Sequence, residues 1–158
     1  MKSVGSSTSR TAPSAVAVTS IATSILTVRT SRRGFTDITS QCAEFLNEAS
    51  AGEGLLTAFI RHTSASLTVQ ENADPTVLSD LTTALSRLAP ENAGWVHDTE
   101  GPDDMPAHIK TMLSATSLQI PVRQGQIMLG TWQAIYLIEH RVRPHRREVV
   151  LQFIGSNR

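Results

Sequence analysis

The chain predicts an α+β fold, one domain with mostly antiparallel sheet and two or three helices. Three observations lead there. Short β-branched and apolar runs recur from Ile21 to Ile154, yet only two or three segments show helical spacing. Strands and helices never alternate as regular βαβ units, which argues against a parallel sheet. At 158 residues and 17.1 kDa the chain is long enough for one hydrophobic core.

Taken in order, the residues from Met1 to about Ala15 are rich in Ser and Thr, with Gly5 and Pro13 and no periodicity. Residues 1–18 therefore read as a disordered extension ahead of a domain spanning 19–158. Free of acids and carrying arginine, the extension also has the composition of an organellar transit peptide, though its amphipathic repeat is weak. Ile21 to Val28 reads as a strand, followed by a turn at Arg32-Arg33-Gly34. Ile38, Cys42, Phe45, Leu46 and Ala49 form a helical stripe, with Gly52 and Gly54 ending it. Leu55 to Ile60 and Ser64 to Val69 read as strand, continuous or bent near His62.

Asp74 and Pro75 then supply an N-cap and first position for a second helix. Its expected buried stripe is Val77, Leu78, Leu81, Leu85 and Leu88, and Pro90 stops it. A short third helix is expected from Pro106, with Ile109, Met112 and Leu113 inward. The remaining strands are Ser117 to Val122, Gln126 to Leu129, Thr131 to Ile138 and Glu148 to Ile154, with turns at Gly125 and near Pro144.

Composition narrows the function. No apolar run approaches the roughly 20 residues of a membrane helix. The single cysteine, Cys42, excludes an internal disulfide and a thiolate zinc site. A reducing, cytoplasmic setting is expected, with organellar import as the alternative. Net charge is zero, yet residues 37–109 carry twelve acids against two bases, while residues 1–36 carry five bases and no acid. The acidic middle suits a cation.

Within it lies the most informative stretch, His97-Asp98-Thr99-Glu100-Gly101-Pro102-Asp103-Asp104-Met105-Pro106-Ala107-His108. It holds two histidines and five further oxygen-bearing side chains, and has almost nothing to bury. His97 and His108 stand eleven residues apart and match no named zinc motif. A folded-back loop can still bring both to one ion, with His62 as third ligand. Three histidines and a water make an open catalytic zinc site. Glu100, Asp103 or Asp104 would orient an imidazole through its second nitrogen; solvated turn residues are the plainer reading. Strand alternation would place His62, Ser64 and Ser66 on one polar face.

Elsewhere, Asn72 reads as a turn residue or part of an anion-binding helix start. Trp132 is either core or a stacking ring. Arg141, Arg143, Arg146 and Arg147 can grip phosphate or simply keep a turn soluble. RNA binding through them is the third function considered, but no aromatic residues interleave. There is no Gly-x-Ser-x-Gly elbow and no phosphate or dinucleotide glycine loop.

His62-Thr63-Ser64-Ala65-Ser66, Glu71-Asn72-Ala73-Asp74-Pro75, the segment from His97 to Lys110, Leu129-Gly130-Thr131-Trp132-Gln133 and Glu139-His140-Arg141 follow one another in one order. That series resembles the YjbQ-like family, often labelled secondary thiamine-phosphate synthase, over roughly Ile21 to Gly155. The resemblance implies a sandwich-like α+β domain, a homotrimer, and a polar pocket near the subunit boundary. It implies metal ligation by His62, His97 and His108, with zinc first and magnesium as the alternative beside a pyrophosphate substrate. Glu100, Asp103 and Glu139 are the expected catalytic helpers; Ser64, Asn72, Trp132, Gln133 and Arg141 are the expected substrate contacts. His140 matches a varying position, and His145 reads as a surface residue.

The implied reaction joins hydroxymethylpyrimidine pyrophosphate to thiazole phosphate with release of pyrophosphate, although the chain has no Asp-rich diphosphate motif. The alternative is a metal- or phospho-ligand-binding module without turnover. The expected partner is a small phosphorylated metabolite, with no membrane and no nucleic acid.

Overall fold

Alternating apolar residues along eight strands build two antiparallel sheets that share one core. The computed structural model describes residues 7–158. In chain order the elements are β1 (Ser20–Thr30), β2 (Gly34–Asp37), α1 (Thr39–Glu48), β3 (Ala51–Ile60), β4 (Ala65–Glu71), α2 (Pro75–Leu88), α3 (Asp104–Leu113), β5 (Ser117–Arg123), β6 (Gln126–Ile127), β7 (Gln133–Glu139) and β8 (His145–Asn157). The larger sheet has the order β1-β8-β3-β5-β6 and the smaller β2-β7-β4, and every pairing is antiparallel. The expected α+β architecture with mostly antiparallel sheet is therefore the observed one.

The core lies between the sheets. β8 turns Val149, Leu151 and Phe153 inward at a spacing of two, and β3 does the same with Leu56, Ala58 and Ile60. Leu67, Ile135 and Leu137 answer from the smaller sheet, and α1 adds Cys42, Phe45 and Leu46. Burial pushes the Cys42 thiol up to about 12, with nearby Asp37 adding to the effect, so it packs as an inert hydrophobe. α2 packs near β2 and α3 near β4.

Several local expectations need correction. The expected extension over 1–18 begins in residues 1–6, outside those described; residues 7–19 carry no helix or strand and are exposed. Gly52 and Gly54 lie inside β3 instead of ending α1. Gly54 is paired with Gly155 of β8, where a Cβ on either glycine would collide with the neighbouring backbone. β3 and β4 are separate strands in different sheets, joined by Arg61 to Ser64, so His62 lies outside both strands. β2 follows directly at Gly34, whose φ of +145° suits glycine. The β5–β6 hairpin turns at Gln124 and Gly125, with φ of 51° and 74°, the left-handed pair that matches strand twist.

Two helices behave unlike their sequence patterns. In α2 no residue is fully buried, and Leu88 is 67% exposed. In α3 the expected inward residues Met112 and Leu113 are 85% and 56% exposed. The buried face carries Asp104, Pro106, Ala107, Lys110 and Thr111 instead. The polar side of α3 faces the protein, where Asp104 meets Arg141 of a distant segment and Thr111 bonds back to the Ala107 carbonyl of its own helix.

The glycine pair yields a direct test. Gly155→Ala places a methyl about 2.8 Å from Gly54 Cα. It is expected to cost about 1–3 kcal/mol through overpacking, read as a lower urea midpoint at unchanged slope. An unaltered midpoint would contradict this close approach.

Candidate metal centre

Pro90 ends α2, and the chain then loops to α3 with little apolar material. Gly101, at φ +116°, lets the loop turn back, its amide donating to the Asp98 carbonyl at 3.0 Å. Asp104 opens α3 and lies one helical turn before His108, so both share a face. His97 reaches that face from the loop. His97 Nε2 is 2.9 Å from Asp104 Oδ2, and His108 Nε2 is 3.7 Å from Asp104 Oδ1. The imidazole centroids are 5.4 Å apart. One donor atom from each of the three residues lies within 4.8 Å of the others. Two imidazoles and a carboxylate, converging at the surface end of a helix, form a donor set suited to zinc or a similar divalent ion.

Hydrogen bonds prepare this set. His108 Nδ1 lies 2.9 Å from the Thr63 carbonyl, which can only accept. Nδ1 therefore carries the proton, and a neutral His108 presents the Nε2 lone pair toward Asp104. Asp104 is 3% exposed, and its carboxylate also receives Arg141 Nη1. Arg141 Nε donates to Asp103 Oδ2 at 3.1 Å and Nη2 to the Glu100 carbonyl at 2.8 Å. Burial raises the Asp103 carboxyl, but the Val142 amide and Arg141 outweigh it and hold it below the usual carboxylate range.

A second polar network sits behind the first. Glu139 is fully buried and takes Arg147 Nε at 2.7 Å and Nη2 at 2.6 Å. Thr30 Oγ1 and the Arg141 amide donate to the same carboxylate at 2.8 and 2.9 Å. Burial raises Glu139, and these donors, led by Arg147, bring it below its ordinary value.

Just past the end of β7, His140 Nε2 lies 2.8 Å from Ser66 Oγ, which is 2.7 Å from Ser114 Oγ. Ser114 Oγ is in turn 2.6 Å from the Lys110 carbonyl. Ser114 has one proton and a carbonyl cannot donate, so one order gives every contact a proton. His140 Nε2–H donates to Ser66, Ser66 to Ser114, and Ser114 to the carbonyl. Burial, reinforced by Lys110, lowers the His140 pKa to about 3. Burial likewise lowers Lys110, with Arg33 adding to it.

Of the expected ligands, His97 and His108 come together. His62 does not join them: its Nε2 accepts the Glu148 amide at 2.9 Å. Burial and then Arg147 lower its pKa. The carboxylate the sequence reading left as a turn or orienting residue, Asp104, takes the third place. Its spacing of four from His108 was the available signal.

Among the expected helpers, Asp103 and the Glu100 carbonyl anchor Arg141, while the Glu100 side chain is 75% exposed and 3.7 Å from Arg141 Nη1. Arg141, an expected substrate contact, is instead engaged by this loop. Glu139 serves Arg147. Ser64 Oγ accepts from Arg147 at 3.1 Å. Gln133 Oε1 accepts the Gly130 amide at 2.8 Å and closes a turn, Trp132 is 66% exposed, and Asn72 is exposed, its amide donating to the Trp132 carbonyl.

These features define a class: a two-sheet antiparallel α+β domain with a His-Asp-His cluster where a loop enters a helix. The chain belongs to the YjbQ-like UPF0047 family, whose description, UPF0047 protein YjbQ-like, matches residues 24–156. It is 46% identical over 133 residues to a UPF0047 protein of Synechocystis, covering 84% of this chain and 90% of that protein. It is 44% identical over 132 residues to the UPF0047 protein YjbQ of Salmonella typhimurium, covering 83% and 96%. Among solved structures, a hypothetical protein of Aeropyrum pernix superposes with a TM-score of 0.79 at 31% identity, covering 85% and 99%.

The buried imidazole predicts a pH dependence. An unfolded histidine takes up its proton near pH 6.5, whereas folded His140 resists it down to about 3. The unfolded chain thus binds more protons below pH 6.5, and stability falls on acidification. The slope from His140 reaches at most ~1.4 kcal/mol per pH unit. His140→Gln retains a donor for Ser66 but cannot titrate. Urea midpoints between pH 4.5 and 6.5 should flatten in this variant relative to wild type; an equal slope would remove His140 as the cause.

Proposed function

We propose that this protein is a divalent-metal-dependent enzyme acting on a small phosphorylated metabolite. The supporting observation is the convergence of His97, Asp104 and His108, with His108 already held in the tautomer that frees Nε2. Zinc suits this nitrogen-and-oxygen set best, with magnesium the alternative. When bound, the ion supplies positive charge that stabilises a leaving phosphate or pyrophosphate. The chain's own part is positional. Thr63 orients His108, and Arg141 holds Asp104 and Asp103 so that the loop carrying His97 stays against α3.

The joining of hydroxymethylpyrimidine pyrophosphate to thiazole phosphate is the candidate reaction, in keeping with the family resemblance and with an ion beside a diphosphate leaving group. Zinc measured by mass spectrometry should reach one ion per chain in the wild type. Asp104→Asn and His108→Ala should weaken zinc binding more than tenfold and abolish product formation, whereas His62→Ala keeps its zinc. Equal zinc content in all four proteins would overturn the metal reading; bound zinc without product from these substrates would favour a binding module.

The proposed assembly is a homotrimer. Support comes from α2, whose apolar stripe has no fully buried member, and from the neighbouring exposed Met112 and Leu113. Light scattering should give three times 17.1 kDa, and Leu88→Glu should shift the protein toward monomer. A monomeric wild type would refute the assembly and leave the metal test untouched.

A further inference from the structure

Lys110 is among the largest fully buried side chains of the described residues, at 1% exposed. Its ammonium makes no hydrogen bond or ion pair with any of them, and since no sealed side-chain nitrogen there lacks a partner, it keeps a small contact with solvent. It lines a recess with Arg33, Phe35, Leu85, Ile138, His140 and Glu139, whose carboxylate is taken by Arg147. The recess measures about 200 Å³ with its mouth, and its enclosed depth of about 10 Å³ takes one water-sized atom.

The carboxylates in this neighbourhood are already engaged. Glu91 is held by Arg33 Nη2 at 2.5 Å, Asp103 by Arg141 Nε at 3.1 Å, and Glu139 by Arg147 Nη2 at 2.6 Å. Arg33 Nε is spent on the His140 carbonyl at 3.2 Å. No carboxylate lies within ion-pair distance of Lys110, so its ammonium stands without a direct partner at a recess walled by Phe35, Leu85 and Ile138. A water molecule would solvate that ammonium but place no negative charge beside it, and a buried charge is best held by a direct counter-ion.

We propose that this recess binds a small oxyanion, a carboxylate or phosphate group, with one oxygen seated in its depth against Lys110 Nζ and Arg33 on the same wall. The remaining oxygens would stay at the mouth. Lys110 is two residues beyond His108 on α3, and residues at that spacing point to different sides of a helix. The anion site thus lies on another side of α3 from the His-Asp-His cluster and does not rest on the metal reading.

The chain contains two lysines, Lys2 and Lys110, which makes the test direct. In metal-free full-length protein labelled with carbon-13 at the lysine Cε, inorganic phosphate and, separately, acetate are titrated at constant ionic strength. The Lys110 signal should shift saturably at millimolar anion while Lys2 does not. Response to phosphate alone assigns a phosphoryl group, response to acetate alone a carboxylate, and response to both the shared oxyanion chemistry. Thermal melting supplies the second reading: saturating anion should raise the wild-type Tm by several degrees and leave Lys110→Met unmoved. No saturable Lys110 shift with either anion, or equal shifts of both lysines, would overturn the proposal. So would an equal Tm response of a folded Lys110→Met; if that variant does not fold, the lysine signals of the wild type still decide.

Discussion

Arg141 joins the loop carrying His97 to the sheet, and the geometry of the candidate centre depends on it. Its guanidinium meets Asp103, Asp104 and the Glu100 carbonyl, all within the five residues where the loop becomes α3. A planar fork with several fixed donors suits this task better than the single charge of a lysine. The Arg141 amide is accepted in turn by Glu139, which grips Arg147 on β8. One line of paired charges therefore runs from the larger sheet, through the end of β7, to the two imidazoles. Burying the ions of this line is tolerable because each of them meets an opposite charge; their pairing specifies where the loop must lie more than it adds net stability.

The end of β7 concentrates this chemistry in three successive residues. Glu139 points to Arg147, His140 to Ser66, and Arg141 to the loop. Glu139 closes the strand, and the chain leaves it at His140 and Arg141, so the three successive side chains serve different partners. All three are buried. Covering the smaller sheet on both faces is what removes water from them and makes hydrogen-bond partners obligatory.

Much of the fold was legible because periodicity is local. The cap at Asp74, with its side chain accepting the Thr76 amide at 2.8 Å, and the core stripe of α1 followed from short-range patterns. Asp104 was not legible as a ligand, since its burial depends on Arg141, thirty-seven residues later. The inversion of α3 has the same origin: Asp104 and Lys110 face inward toward groups supplied by distant elements, while Met112 faces out. In α2 the pattern was read correctly as apolar, but periodicity reports that a face needs cover without naming what covers it. His62 misled for a simpler reason. Its neighbours suggested a strand, yet it lies in the crossing between sheets, where its Nε2 meets the Glu148 amide.

That crossing, Arg61 to Ser64, touches three systems at once: His62 the β8 backbone, Thr63 the His108 imidazole, and Ser64 the buried Arg147. Thr63 acts through its carbonyl alone, an atom every amino acid possesses. The tautomer of His108 is thus insulated from the identity of the side chain at position 63 and tied instead to the path of the backbone. Evolution can rewrite that residue freely, but it cannot lengthen, shorten or re-route the crossing without loosening an imidazole more than forty positions away.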